Sequence, residues 1–246
     1  MSGDKYPKAP LKYYQPPKEP EYIEQHPLAP IHPARAIVVG ASGSGKTTFI
    51  NSLIRDYCQY HTLTVCAKNA DQPVYEQLIQ ELEKNEAVLR KKGLKGGIKC
   101  PDGKVKLTYY TSDIRKVPPV EAYDKNLQNL IIIDDFVVET DQKPFIEYYI
   151  RGRHKNISVF YLSQVYFPVP KDIRLNTSYV YLFKGPNDYD LGKLFKDHME
   201  SFSEEKFRKI VSQTHSKPYT FITIDKKTGD PNLKFRVGLD ELVMNE

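Results

Sequence analysis

The chain has 246 residues, of which 40% are hydrophobic and 27% charged, and its net charge at pH 7 is +5. This composition is typical of a globular domain, and no apolar run reaches the roughly 18 residues of a membrane-spanning helix, so we expect no such segment. The first residues lack the apolar region of a secretory signal, which predicts a cytosol-like compartment. The three cysteines include no C-x-x-C pair and the six histidines show no ligand spacing, so we expect neither disulfides nor a transition-metal site.

The beginning of the chain is rich in proline. Residues 1–33 contain eight of the 18 prolines, set among tyrosines and lysines without apolar periodicity. This composition predicts a proline-rich N-terminal arm rather than a folded domain. Two interpretations of the arm stay open, namely a flexible leader and an arm that wraps over a neighbouring subunit. The remaining chain, residues 34–246, is predicted to form one domain.

From residue 34 onward, short apolar runs alternate with amphipathic stretches, which predicts an α/β domain with a mostly parallel sheet flanked by helices. Strands are predicted at residues 36–39, 63–67, 106–111, 130–133, 157–162 and 179–183. Helices are predicted at residues 47–60, 74–92, 145–151, 189–198 and 203–212. A C-terminal hairpin, over about residues 218–239, is expected to extend the sheet in the antiparallel direction.

A basic insertion interrupts this pattern at residues 90–106. It has seven basic residues against one acidic residue, and four glycines loosen it, so we expect an exposed loop or hairpin. Its basic residues are Arg90, Lys91, Lys92, Lys95, Lys99, Lys104 and Lys106. Clustered lysines on a flexible segment suit contact with DNA backbone phosphates, which needs no base-reading side chain. A solvated surface loop would have the same composition, and both interpretations stay open.

The segment after the first predicted strand has the sequence G-A-S-G-S-G-K-T and fits the P-loop pattern G-x-x-x-x-G-K-[ST]. It lies directly between a predicted strand and a predicted helix. In such a loop, glycines let backbone N–H groups surround the β-phosphate, Lys46 reaches the β- and γ-phosphate oxygens, and the Thr47 hydroxyl ligates Mg²⁺. The predicted nucleotide-binding residues are Gly40, Ala41, Ser42, Gly43, Ser44, Gly45, Lys46, Thr47 and Thr48.

Two acidic residues, Asp134 and Asp135, follow the apolar run 130–133. In a P-loop fold, the carboxyl end of this strand overlooks the phosphates. We therefore expect Asp134 to be a Mg²⁺ ligand and Asp135 to orient or deprotonate the attacking water. Paired acids in these positions favour hydrolysis of ATP over phosphoryl transfer to a bound acceptor.

Polar and basic residues near the following strands complete the predicted site. Gln164, just after the predicted strand 157–162, is the candidate γ-phosphate sensor. Hydrolysis also needs positive charge on the developing γ-phosphate. Arg151, Arg153 and Arg174 are the candidates for this role, acting from a neighbouring subunit. The choice among these three arginines stays open.

Together, these motifs and their order resemble the poxvirus-type genome-packaging ATPases of large DNA viruses and virophages, which belong to the FtsK/HerA superfamily of P-loop ATPases. The resemblance rests on the P-loop, the double Asp, the R-G-R-H-K-N-I-S segment that runs towards Gln164, and the I-R-L-N segment around Arg174. It covers roughly residues 34–183. Many relatives in the wider superfamily have Glu after the Walker B Asp, where this chain has Asp135 with its shorter side chain.

The resemblance implies a RecA/FtsK-like P-loop fold and an ATP-hydrolysing motor that moves viral double-stranded DNA into a capsid. It also implies a homo-oligomeric ring such as a hexamer, with ATP and Mg²⁺ as cofactors. Capsid or portal-vertex proteins are the expected partners. The expected location is the virion and the cytoplasm of the host cell, where the virus assembles.

Three other functions fit parts of the sequence. A nucleoside or nucleotide kinase has a similar length and the same P-loop, but it needs an acceptor pocket with its own base and an arginine-rich lid. A GTP-binding switch needs the order N-K-x-D after a strand, whereas residues 68–71 read K-N-A-D. The third function is that of a non-enzymatic capsid component, which would bind nucleotide only to stabilise its fold. Nucleotide turnover stimulated by DNA separates the motor from all three.

Overall fold

The computed structural model describes residue 26 and residues 28–69, 73–199, 202–230 and 233–242. Within these residues the strands are β1 Arg35–Val39, β2 Thr62–Ala67, β3 Ile98–Lys99, β4 Val105–Lys106, β5 Thr108–Thr111, β6 Asn129–Asp134, β7 Ile157–Ser163, β8 Tyr179–Phe183, β9 Phe221–Asp225, β10 Phe235–Val237 and β11 Glu241–Leu242. The α-helices are α1 Lys46–Asp56, α2 Pro73–Lys91, α3 Lys143–Arg151, α4 Lys171–Asn176, α5 Asp188–His198 and α6 Glu204–Thr214. Short 3₁₀ helices span Ile114–Lys116, Val120–Ala122 and Gly152–Lys155.

A nine-stranded sheet in the order β11-β10-β9-β8-β1-β7-β6-β2-β5 forms the centre of the fold. The six strands from β8 to β5 are parallel. Strand β9 pairs antiparallel with β8, β10 with β9, and β11 with β10. The predicted fold class, a mostly parallel sheet extended by a C-terminal antiparallel hairpin, is therefore confirmed.

The core lies on both faces of this sheet, which explains why its central strands have apolar runs without alternation. Along β6, Ile131 and Ile133 pack into one cluster together with Phe145 of α3. Their neighbours Leu130 and Ile132 point to the other face and pack in the cluster that contains α1. Because successive side chains of a strand alternate between faces, a strand covered on both faces must be apolar throughout.

The direction of the strands decides which ends meet. The carboxyl ends of β1, β6, β7 and β8 lie at one edge of the parallel sheet, and the segments that follow them emerge there. We call this edge the carboxyl edge. Strand β9 runs the other way, so it begins at the carboxyl edge instead of ending there. None of the described helices is long and apolar enough to cross a lipid bilayer.

Several predicted bounds differ from those observed. Helix α1 ends at Asp56 rather than at residue 60, because the chain must turn to enter β2, where the His61 N–H donates to the Gln128 carbonyl. The short helix α4 was not predicted. The basic insertion forms the predicted hairpin, β3 with β4, and it is anchored by the buried side chain of Ile98.

The division of the chain into an arm and a domain stays a prediction. Residues 1–25 and 27, most of the predicted arm, lie outside the described residues. The end of the arm segment lies on the sheet, where the Ile31 N–H donates to the Tyr179 hydroxyl at 3.0 Å. The described part of the arm therefore packs against the domain.

Candidate nucleotide-binding site

The loop that joins β1 to α1 has a tight backbone conformation that only glycine allows at two of its positions. A β-carbon on Gly40 would lie 2.5 Å from the β-carbon of Phe183, which leaves no room for any side chain. Gly45, the residue that precedes α1, has a φ of 101°, a conformation that residues with a β-carbon rarely adopt. The loop can therefore turn tightly over the end of the sheet and lead directly into the helix.

The first turn of α1 has amide groups that are suited to binding a phosphate. Gly45 has no side chain to cap them, and the first N–H groups of any helix have no partner within the helix. The hydroxyl oxygen of Ser44 is buried and has no hydrogen-bond partner within the described part of the chain. An anion bound here would satisfy these donors and gain from the positive end of the helix dipole.

Lys46 is buried beside this loop, with 9% of its surface exposed. Its Nζ donates to the carbonyl oxygens of Gly40 at 2.6 Å and Ala41 at 2.9 Å. Burial lowers the pKa of Lys46, while the negative charges of Asp134 and Asp135 oppose that shift. The ammonium group is thus held over the loop, close to both acids.

Asp134 ends β6 and is buried, with 7% of its surface exposed. Its Oδ2 accepts a hydrogen bond of 2.8 Å from the Tyr75 hydroxyl. Burial raises the pKa of Asp134, and so does the neighbouring Asp135, whereas the hydrogen bond from Tyr75 and the charge of Lys46 lower it. A buried carboxylate of this kind is stabilised by a cation.

Asp134 and Thr47 provide the oxygen donors that Mg²⁺ prefers. The two lie near each other, because the Tyr75 hydroxyl donates to Asp134 and also lies near the Thr47 side chain. The chemistry of this pair fits Mg²⁺. Tyr75 was missed by the sequence analysis, although it lies in the first turn of a helix that follows a parallel strand, and such a turn emerges at the carboxyl edge.

Asp135 is half-buried and has a backbone φ of 62°. Its Oδ1 accepts a hydrogen bond of 3.4 Å from Nε2 of Gln164, so the predicted water-orienting acid and the predicted sensor are in contact. Asp tolerates this left-handed conformation better than Glu, because its short polar side chain can bond locally. The backbone thus gives a physical reason for Asp at this position.

The structure does not bring the three candidate arginines to the loop of the same chain. Arg174 is buried and forms an ion pair with Asp197, which is equally buried. Arg151 pairs with Glu121 at 2.9 Å and with Glu147. Arg151 and Arg153 both precede β7, at the opposite edge of the sheet from the loop. Only Arg153 among the three is an exposed side chain for which no ion pair is observed within the described residues.

These observations describe a P-loop after β1 whose lysine lies near two acids at the end of β6, the second strand along from β1 in the sheet. The family model of the poxvirus A32 protein matches residues 28–218. The chain belongs to the poxvirus A32 protein family. The match spans the loop, both acids, Gln164 and all three arginines, so the resemblance noted from the sequence is confirmed. No curated protein sequence is significantly similar to this A32-family chain.

Solved structures similar to this A32-family chain include the genome packaging NTPase B204 from Sulfolobus turreted icosahedral virus 2. The B204 complex with sulfate is 12% identical, with a TM-score of 0.55 over 87% of this chain and 100% of B204. The complex with AMPPCP is 14% identical, with a TM-score of 0.54 over 84% of this chain and 98% of B204. At such identities the likeness shows a shared fold.

Proposed function

We propose that this A32-family chain is an ATPase that packages a viral genome by moving double-stranded DNA into a preformed capsid. The observation that carries the proposal is the P-loop of an A32-family fold in which Lys46 lies close to Asp134 and Asp135. The B204 proteins of the same fold, which bind ATPγS and AMPPCP, are packaging NTPases. Their activity supports the same reaction here.

In this proposal the loop binds the triphosphate of ATP, with Lys46 and the first amides of α1 on its phosphate oxygens. Thr47 and Asp134 are the Mg²⁺ ligands, and the ion would neutralise phosphate charge when bound. Asp135 orients the attacking water and accepts its proton. Gln164, which donates to Asp135, senses whether the γ-phosphate is present.

ATP turnover with and without duplex DNA, together with the molar mass in solution, tests this function. We expect hydrolysis that DNA stimulates and a mass of several subunits. A kinase would instead need a nucleoside acceptor, and a nucleotide-binding capsid component would not turn ATP over. Either of those results, or turnover that ignores DNA, would contradict the packaging function.

We propose that the basic insertion contacts the DNA backbone. Two of its cations are used within the fold: Arg90 binds the carbonyls of Gly96 and Val105, and Lys106 lies 3.7 Å from Asp102. The exposed ones are Lys91, Lys92, Lys95, Lys99 and Lys104. The insertion therefore presents a set of solvated ammonium groups, which suits binding to phosphates without reading sequence.

Replacing Lys91, Lys95 and Lys99 by alanine is expected to weaken DNA binding and to flatten its salt dependence. Each lost phosphate contact should lower the slope of log K against log salt by about 0.9, as measured by fluorescence anisotropy with a labelled duplex. Replacing three exposed lysines of α4, α5 and α6, namely Lys171, Lys196 and Lys209, removes the same charge and serves as the control. Equal slopes for both triple variants would reduce the insertion to a solvated surface hairpin.

We propose that the subunits form a ring, such as a hexamer, in which an arginine of one subunit acts on ATP bound to the next. Arg153 is the best suited of the three candidates, because it is exposed and no ion pair is observed for it among the described residues. Arg151 is also exposed but pairs with Glu121 and Glu147. Arg174 is buried in its pair with Asp197. The ring would meet capsid or portal-vertex proteins during virus assembly in the host cell and would be carried in the virion.

Arg153→Ala and Lys46→Ala are each expected to be inactive alone, whereas co-expressed mixtures of the two should recover part of the ATPase activity. Recovery follows because an intact P-loop of one subunit then meets an intact arginine of its neighbour. Arg151→Ala in the same mixture serves as the control. Mixtures that stay inactive for Arg153→Ala would exclude Arg153 as the arginine that acts across subunits.

A further inference from the structure

A tyrosine beside the P-loop has a combination of properties that the phosphate chemistry leaves unexplained. Tyr219 lies in the turn between α6 and β9, and 75% of its surface is exposed. Its backbone φ is 58°, the left-handed region in which bulky residues are rare. An exposed aromatic ring and a strained backbone are both unfavourable for folding alone, and strain of this kind concentrates at ligand sites.

The topology of the sheet brings Tyr219 to the carboxyl edge. Because β9 is antiparallel to β8, the residues just before it lie where the parallel strands end. Strand β1 stands between β7 and β8, so the edge has two sides. Asp135 and Gln164 occupy the side of β6 and β7, and Tyr219 occupies the side of β8 and β9.

The ring of Tyr219 lies against the beginning of α1. A methyl group added to Gly45 would be 3.4 Å from Cδ1 of Tyr219 and 4.0 Å from its Cβ. Gly45 is the residue whose neighbours carry the phosphate-binding amides. A nucleotide that directs its γ-phosphate towards Asp135 must extend its base in the opposite direction, towards the side where this ring lies.

The turn that carries Tyr219 is fixed by its own contacts. The hydroxyl of Thr220 lies 2.6 Å from the carbonyl oxygen of Thr214 and 2.9 Å from that of Lys217. Phe221, the next residue, stacks on Phe183 with ring centroids 4.9 Å apart. The exposed ring therefore stands on a rigid support beside the P-loop.

We propose that Tyr219 forms a nucleobase subsite, in which its ring stacks on the purine of the nucleoside triphosphate bound by the P-loop. The inference rests on the proposed nucleotide-binding function and adds the base to it. Stacking on an aromatic ring depends on the π-face that every base has, so it tolerates different bases. The subsite therefore strengthens binding of ATP and GTP alike.

The test compares the Mg²⁺ complexes of AMPPCP, which has a base, and inorganic tripolyphosphate, which has none, by calorimetry on the full chain. We expect Tyr219→Ala to weaken AMPPCP binding about ten-fold, as the loss of one stacked base predicts, and to leave tripolyphosphate binding unchanged. Tyr219→Phe retains the ring and should bind AMPPCP like the wild type.

Tyr219→Gly is a second variant that keeps the test valid if Tyr219→Ala is destabilised. Glycine adopts a φ of 58° without strain, so this variant should melt no lower than the wild type while losing the same affinity for AMPPCP. An unchanged AMPPCP affinity, or equal losses for both ligands, would overturn the subsite. Wild-type protein that binds neither ligand would overturn the nucleotide-binding function itself, and the subsite with it.

Discussion

Replacing Lys46 by alanine is expected to abolish ATP turnover and to weaken nucleotide binding by about a hundred-fold or more. Lys46 is held beside the P-loop by the carbonyls of Gly40 and Ala41, from which its ammonium group can move onto phosphate oxygens. Hydrogen bonds to charged groups contribute about 1.5–3 kcal/mol each, and a factor of ten in affinity corresponds to about 1.4 kcal/mol. The loss of two such bonds therefore exceeds a hundred-fold.

The variant should remain folded, because alanine removes a charge that burial disfavours. Calorimetry with AMPPCP and a thermal melt of the same sample measure both properties. Lys68→Ala is the matched control: Lys68 also lies at the carboxyl edge and is partly buried, but it pairs with Glu139. Turnover by Lys46→Ala at the wild-type rate would remove the P-loop from the mechanism.

The fold class and the P-loop could be predicted from the sequence because the sequence signals for both are local. The apolar run of β6 reports burial on both faces wherever it occurs, and the spacing from Gly40 to Thr47 is contained in eight consecutive residues. The positions of Asp134 and Asp135 could be predicted once the P-loop indicated the fold class. In such a fold the strand that carries them ends at the same edge of the sheet as the P-loop. The roles of all these residues stay predictions.

The partners of these residues could not be predicted, because they depend on the order of the strands. Tyr75 reaches Asp134 across 59 positions of the chain only because β2 lies beside β6. In the same way, the sequence shows no acidic partner for Arg174, because the partner, Asp197, lies on α5 and meets Arg174 only when α4 packs against α5. Such contacts are tertiary, and no local pattern reports them.

The left-handed backbone conformation of Asp135 could not be predicted from the sequence either, and it determines which substitutions are informative. A residue with φ of 62° can be Asn, which adopts this conformation readily, but a Glu would be strained there. Asp135→Asn therefore removes the negative charge while it retains the backbone, the side-chain length and the capacity to accept from Gln164. Any change in rate then reports the lost carboxylate.

Asp135→Asn is expected to bind ATP like the wild type and to hydrolyse it about 10²–10⁴ times more slowly, the usual contribution of a general base. Binding survives because the phosphate contacts come from the loop and from Lys46, whereas the amide cannot accept a proton from the attacking water. Single-turnover hydrolysis of bound ATP measures the chemical step apart from product release. Asp134→Asn should instead weaken the dependence on Mg²⁺, since Asp134 is the acid beside Thr47. Hydrolysis by Asp135→Asn at the wild-type rate would mean that another group accepts the proton of the attacking water, and Asp135 would then serve only to position Gln164.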